Sequence, residues 1–417
     1  MRETATETAG ARRAERARVN SLAQSVLRLI WDEQRISRAE IARRMGLSRS
    51  TVTEIVDDLL PTGLVAEVGV GPSRGGRPPI TLEFNYQAGV ILGVDMGAAH
   101  VAVALTDLRG HVLAWEHRHH AVRTDPEGTR ELIARLCSAC LATIPGSRRT
   151  LVGLGVAVPC PVDPRHPDRF SEVVLPEWHG KSGFRKLAAR YKVPLLVDND
   201  ANLGALAERW WGAGRGIDDL AYVKVATGLG SGHIVEGKIY RGATGVAGEI
   251  GHMAIDPNGR PCVCGLRGCL ATLVGAPALV ERATELMARH PRSKLLGTRP
   301  TIETIEDAAL SGDALALQVV QEAAQNLGIA IAGLLNLMNP ELVILGGGFS
   351  RLGDLLLDPL RDVISKRTLV SSLAAADVRT SELGPRSIAI GAATLVLDAA
   401  LADARLFPAP QTGSGTA

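Results

Sequence analysis

The sequence predicts a multi-domain chain: an α-rich winged helix-turn-helix over residues 19–85, followed by a larger α/β region reaching about residue 405. Three observations predict it. Apolar residues recur at helical spacing between Leu22 and Leu60, broken by one glycine turn. From Tyr86 onward, short aliphatic runs that end in glycine alternate with helical stretches. One histidine and three cysteines fall together in a short glycine-rich segment, Gly251 to Cys269.

Met1 to Arg18 is rich in Arg, Glu, Thr and Ala and has no apolar period, so a mobile arm is expected. It also lacks the apolar stretch of a signal peptide. Leu22, Val26, Leu29 and Ile30 define a first helix. Ser37 can cap a second, with Glu40 three residues on completing a capping box. Ile41, Ala42 and Met45 point inward from that helix, and Gly46 ends it. Ser48 or Arg49 opens a third helix through Val52, Ile55, Val56, Leu59 and Leu60, which Pro61 closes.

Two helices joined by a tight glycine turn make a helix-turn-helix. Ser48, Arg49, Ser50, Thr51 and Thr53 then stand at the start of the recognition helix, where base edges and phosphates are contacted. Leu64, Ala66 and Val68 alternate as one strand, and Ile80, Leu82 and Phe84 as another. The loop between them, Gly71 to Pro79, reads as a wing tip. Its Arg74 and Arg77 suit minor-groove or phosphate contact. Residues 1–85 hold thirteen arginines against eleven acidic residues, so any polyanion contact must be local to the arm and wing. The competing reading is a three-helix protein-interaction module.

In the α/β region, strands are expected over 89–94, 101–106, 112–119, 151–158, 195–197, 220–225 and 342–345, with a helix over 128–143. Aromatics are only 3% of the chain, so small aliphatic side chains must fill the cores. The most apolar stretch, Ile329 to Leu345, contains Asn336, Asn339, Pro340 and Glu341. It reads as a buried helix, a turn and a buried strand rather than a membrane span. Residues 406–417 are Pro-, Gly-, Ser- and Thr-rich and are expected to be disordered.

His252, Cys262, Cys264 and Cys269 have the ligand count and type of a closed, tetrahedral, structural Zn²⁺ site. The alternative is a set of buried thiols that pack as small hydrophobes. Thiols beside a metal-type cluster point to a reducing cytoplasm. Strand-to-glycine turns at Asp95-Met96-Gly97, at Ala226 to Gly232 and at Gly346-Gly347-Gly348 could cradle an anion, or could simply be turns.

Gly248-Glu249-Ile250-Gly251-His252 and the Cys-x-Cys-Gly-x-x-Gly-Cys run carry a resemblance. From about Asn20 to Asp403 the chain resembles the ROK family (repressors, open reading frames and kinases), specifically its winged-helix transcriptional regulators. The resemblance implies an actin-like, ribonuclease-H-like pair of lobes with a sugar or sugar phosphate in the cleft. The first lobe would comprise residues 86–200 plus about 388–405. The second, 201–387, would carry the zinc site. By position, Asn199 and Asp200 look like the sugar-binding pair, Asp200 standing where the kinases place their general base. Glu249 and His252 look like further sugar contacts.

Two departures oppose kinase activity: Ala99 stands where the kinases have a phosphate-holding Thr, and Ala271 where the family has a sugar-binding Glu. A third, Cys160 where the family usually has Gly, is expected to add bulk where backbone approaches ligand. The resemblance therefore implies a cytoplasmic regulator, a repressor in type, of carbohydrate uptake or catabolism genes, with kinase activity lost. It would bind a double-stranded DNA operator as a dimer or tetramer and have no membrane association. The alternatives are an active ATP-dependent sugar kinase with a DNA-binding extension, and a regulator controlled by a protein partner.

Overall fold

Capping chemistry shapes the N-terminal module. In the computed structural model, which describes residues 21–70, 80–144, 150–368 and 376–408, helix α1 spans residues 21–33. A short strand β1 (Arg35–Ser37) leads into α2 (Arg38–Met45) and α3 (Arg49–Leu59). The Ser37 hydroxyl accepts from the Glu40 amide at 3.2 Å, while the Glu40 carboxylate turns outward to Arg43 and Arg44. Gly46 ends α2 in the left-handed region at φ 64°, where a side chain would be strained. Val52, Ile55, Val56 and Leu59 of α3 bury against Val26, Leu27 and Ile30 of α1 and Ile41 of α2.

Strands β2 (Val65–Val70) and β3 (Ile80–Phe84) follow, and the small sheet runs β1-β3-β2. The pairing of β1 with β3 was not expected, because three residues with one apolar side chain give no alternation to read. The expected arm (1–18) and the wing tip with Arg74 and Arg77 lie outside the described residues, as do 409–417 of the expected tail. The tail expectation needs one correction: Phe407 is buried in the apolar cluster shared by the N-terminal module and the α/β region.

Beyond residue 88 two five-stranded sheets repeat one topology. The first runs β6-β5-β4-β7-β8, from β4 (Gly89–Met96), β5 (His100–Asp107), β6 (Val112–His119), β7 (Thr150–Val158) and β8 (Leu195–Asn199). The second runs β11-β10-β9-β12-β13, from β9 (Leu220–Val225), β10 (Leu229–Val235), β11 (Lys238–Tyr240), β12 (Leu342–Gly346) and β13 (Asp377–Thr380). In each, the first three strands pair antiparallel and the last two join in parallel. The glycine stretch after β9 is shorter than the sequence implied. The turn is confined to 226–228, and Gly230, Ser231 and Gly232 already belong to β10.

Helix α4 (Pro126–Ala142) packs on the first sheet, and α5 (Arg185–Tyr191) precedes β8. In the second lobe α7 (Ala271–Val274), α8 (Ala276–Leu286), α9 (Ile302–Leu310), α10 (Ala314–Met338) and α11 (Asp354–Arg367) build a largely aliphatic core. The expected helix-turn-strand around Asn339 is α10, a left-handed Asn339 cap and β12. Between the sheets lie α6 (Asp200–Trp211) and the last helix, α12 (Ser387–Ala402). Gly93 and Gly155 let α12 lie flush on β4 and β7: a Cβ at either would sit 1.9 Å from a helix carbonyl oxygen. The stretch Gly384–Ala402 is long and apolar enough to cross a membrane, but 67% of it is buried here, as befits a core helix.

Candidate functional site: an interlobe cavity joined to a Cys3His cluster

The cleft is organised where β8 turns into α6. Asn199 caps α6: its Oδ1 accepts from the amides of Ala201 at 2.9 Å and Asn202 at 3.3 Å. Its Nδ2 donates to the Cys160 carbonyl at 3.2 Å. The side chain thus holds the turn, and what it can still offer a ligand is small. Asp200 is the first residue of the helix and is only 5% exposed.

Strand β9 of the other lobe brings up Lys224, whose Nζ donates to Asp200 Oδ2 at 2.5 Å. Burial alone would push the Lys224 ammonium down, but the carboxylates of Asp200 and Asp95 outweigh it, and the net direction is up. Asp95 is buried in turn and accepts from His100 Nε2 at 3.0 Å. Its burial favours the neutral acid, yet His100 and then Lys224 hold it below the ordinary carboxylate range.

Asn199, Asp200, Lys224, Glu249 and His252 line one cavity of about 440 Å³, with Thr227 and Gly228 on its wall. That volume lies in the range of small-molecule sites. Burial first, then the nearby Asp200, pushes the Glu249 carboxyl up to about 7. Ala271 lines the cavity; Ala99 does not, although its neighbour Ala98 does. Cys160, expected to add bulk beside a ligand, instead turns its side chain into the first-lobe core. Burial there pushes its thiol up to about 12.

The structure brings His252, Cys262, Cys264 and Cys269 together, their ligand atoms all within 4.8 Å of one another. His252 Nδ1 lies 3.5 Å from Cys262 Sγ, and the sulfurs of Cys264 and Cys269 are 3.6 Å apart. With metal–sulfur and metal–nitrogen bonds of about 2.3 and 2.05 Å, a tetrahedral zinc site has edges of about 3.8 Å (S–S) and 3.5 Å (S–N). The donor set and its spacing fit that ion. The other ring nitrogen of His252 is 3.8 Å from a Glu249 oxygen, so one imidazole faces both cluster and cavity.

On the N-terminal module, Arg49, Ser50 and Thr53 are exposed together on α3. Ser48 is committed to structure, since its Oγ accepts from the Thr51 amide at 3.1 Å and caps the helix. The Thr53 hydroxyl donates back to the Arg49 carbonyl at 2.8 Å, leaving its lone pairs outward. Sequence reasoning missed Lys224. The available signal was a charged residue inside the aliphatic run Leu220-Ala221-Tyr222-Val223-Lys224-Val225, where an unpaired ammonium is costly.

Two duplicated lobes around a ligand-sized cavity, preceded by a helix-turn-helix, define the class: a sugar-kinase-type fold fused to a winged-helix module. The chain belongs to the ROK family, whose model matches residues 91–399, and the MarR family model matches residues 20–66. The xylose repressor of Caldicellulosiruptor bescii is 31% identical over 378 residues, covering 89% of this chain and 94% of that protein. The Escherichia coli K12 DNA-binding transcriptional dual regulator NagC is 33% identical over 379 residues, covering 90% and 92%. A crystal structure of a ROK family transcriptional regulator, a homologue of the E. coli MLC protein, superposes with a TM-score of 0.78 at 26% identity, covering 93% of this chain and 98% of that one. A ROK glucokinase from Streptomyces griseus matches 74% of the chain.

Proposed function

We propose that this protein is a DNA-binding transcriptional repressor whose grip on its operator is set by a sugar in the interlobe cavity. The observation that carries this reading is the joining, in one chain, of an exposed recognition-helix face to a polar-floored cavity. The relatives named as xylose repressor and as the regulator NagC support it. Arg49, Ser50 and Thr53 meet the DNA, Ser48 and Thr51 hold the start of the recognition helix, and Arg74 and Arg77 reach phosphates from the wing. Asp200 accepts from sugar hydroxyls and Lys224 donates to them. Glu249 and His252 complete the wall, with Asn199 fixing the turn beneath.

His252, Cys262, Cys264 and Cys269 would hold a structural Zn²⁺, which bound there supplies rigidity to the cavity wall and no open coordination position. The protein works in the cytoplasm as a homo-oligomer, because one winged module offers few contacts for tight specificity. Kinase activity is absent on this reading: Ala271, which lines the cavity, offers no carboxylate. The test is anisotropy of labelled DNA from upstream of its own gene, with D-xylose, N-acetylglucosamine and their phosphates added in turn. Saturable binding released by one sugar supports the proposal; sugar-dependent ADP formation lost in Asp200→Asn would overturn it in favour of a kinase.

A further inference from the structure

A tryptophan cluster lies where α1, α6 and α12 meet. Trp31 of α1 packs against Trp210 and Trp211, the last two residues of α6, with ring centroids 5.1 and 5.9 Å apart. Arg28, one turn earlier on α1, sits over the Trp210 ring at 4.7 Å and pairs with Asp398 of α12 at 3.0 Å. Arg109, from the turn after β5, covers Trp31 at 5.0 Å. The Trp31 indole donates to the Leu108 carbonyl at 3.1 Å, and that of Trp211 to the Thr394 hydroxyl of α12 at 2.8 Å. The Trp31 and Trp211 indoles and the Arg28 guanidinium each have a partner, so it is a built contact between the N-terminal module and the lobes.

The other end of α6 is the cavity. The helix opens on Asp200, paired across the cleft to Lys224, and closes on the two tryptophans. Its 12 residues make a rod of roughly 18 Å. The rod is held along its length. Ala201, Leu203, Ala205 and Ala207 are fully buried, and Glu208 is buried too, bonding the Ala213 amide at 3.0 Å and the Ser381 hydroxyl. A helix packed this tightly moves as a body and does not absorb a shift at one end.

We propose that α6 carries the state of the cavity to the DNA-binding module, and that the joint of Arg28, Trp31, Trp210 and Trp211 is where the module receives it. This rests on the repressor reading above and adds its route. A ligand that contacts Asp200 or breaks its pair with Lys224 displaces the start of α6. The tryptophans at its end then shift α1, which shares its core with the recognition helix.

The test measures operator affinity by anisotropy on DNA selected from random duplexes, and sugar affinity by calorimetry. Proteins are the wild type, Arg28→Ala and Trp210→Leu, each with and without D-xylose or N-acetylglucosamine. Asp200→Asn and Lys224→Met, placed in each background, disturb the start of α6 without any ligand. The proposal expects both joint variants to keep sugar and operator affinities within about threefold of wild type while the ratio of operator Kd with and without sugar falls toward 1. It also expects the two α6-start variants to shift operator Kd at least threefold in the wild-type background and less than twofold in the joint variants. An undiminished sugar ratio, or an equal shift in all backgrounds, overturns it. A wild type that binds DNA and answers to neither sugar counts against the repressor reading for those sugars; the ligand-free arm then decides the route by itself.

Discussion

Lys224→Met removes the only cation bonded to Asp200 among the described residues and leaves that carboxylate stranded at the foot of the cavity. The side chains of the pair are 10% and 7% exposed, so both charges are largely out of water. Removing one partner of a buried pair costs about 3–5 kcal/mol, because the survivor remains charged and unpaired. The adjoining cavity of about 440 Å³ admits water, which moves the expectation to the lower end, about 3 kcal/mol. For a cooperative unit of 150–250 residues this corresponds to a fall in Tm of roughly 6–12 °C. In the double variant Asp200→Asn, Lys224→Met neither charge of the pair remains and Asp95 keeps His100 at 3.0 Å, so stability should return toward wild type. Scanning calorimetry on the four proteins of this cycle gives the coupling directly. Single variants that each cost under about 1 kcal/mol, with additive effects in the double, would show that no closed ion pair exists and would remove the physical basis for placing Lys224 on the cavity floor.

Three further outcomes follow from the site and the recognition helix. Cys264→Ser should lower bound zinc, read by mass spectrometry of the purified protein, and weaken sugar binding through the His252–Glu249 contact; unchanged metal content refutes the ligand assignment. Ser48→Ala should cost about 1 kcal/mol of stability by uncapping α3 and should weaken operator binding, whereas unchanged affinity would show that the helix start is fixed by other contacts. Arg49→Ala should weaken operator binding, and a salt-dependence slope reduced by about 1 would mark a phosphate contact. No loss of affinity would take Arg49 out of the interface.

Much of the N-terminal module was legible because local chemistry decides it. Ser37, Gly46 and Ser48 act within a few residues, through caps and a left-handed turn that the sequence states openly. The aliphatic strands of the lobes were legible for a related reason: strands buried on both faces read as apolar runs. What escaped was fixed at long range. Strand β1 exists because β3 offers it partners, and the start of β10 was disguised by glycines that composition counts as turn formers. The grouping of His252 with the three cysteines was visible as spacing, whereas Lys224 against Asp200 depends on how two sheets face each other. The tryptophan joint depends on the same placement, since nothing near Trp31 in the sequence announces Trp210.

Helix α12 also has a consequence for how the protein is made. The faces of β4 and β7 around Gly93 and Gly155 are shaped to receive it, yet α12 is synthesised after the whole second lobe. Until residues 387–402 clear the ribosome, the first sheet keeps an uncovered apolar face and the module's α1 lacks its Asp398 anchor. The first lobe therefore waits on α12, and a chain stopped short of it emerges with that lobe unfinished, a natural client for chaperones and proteases.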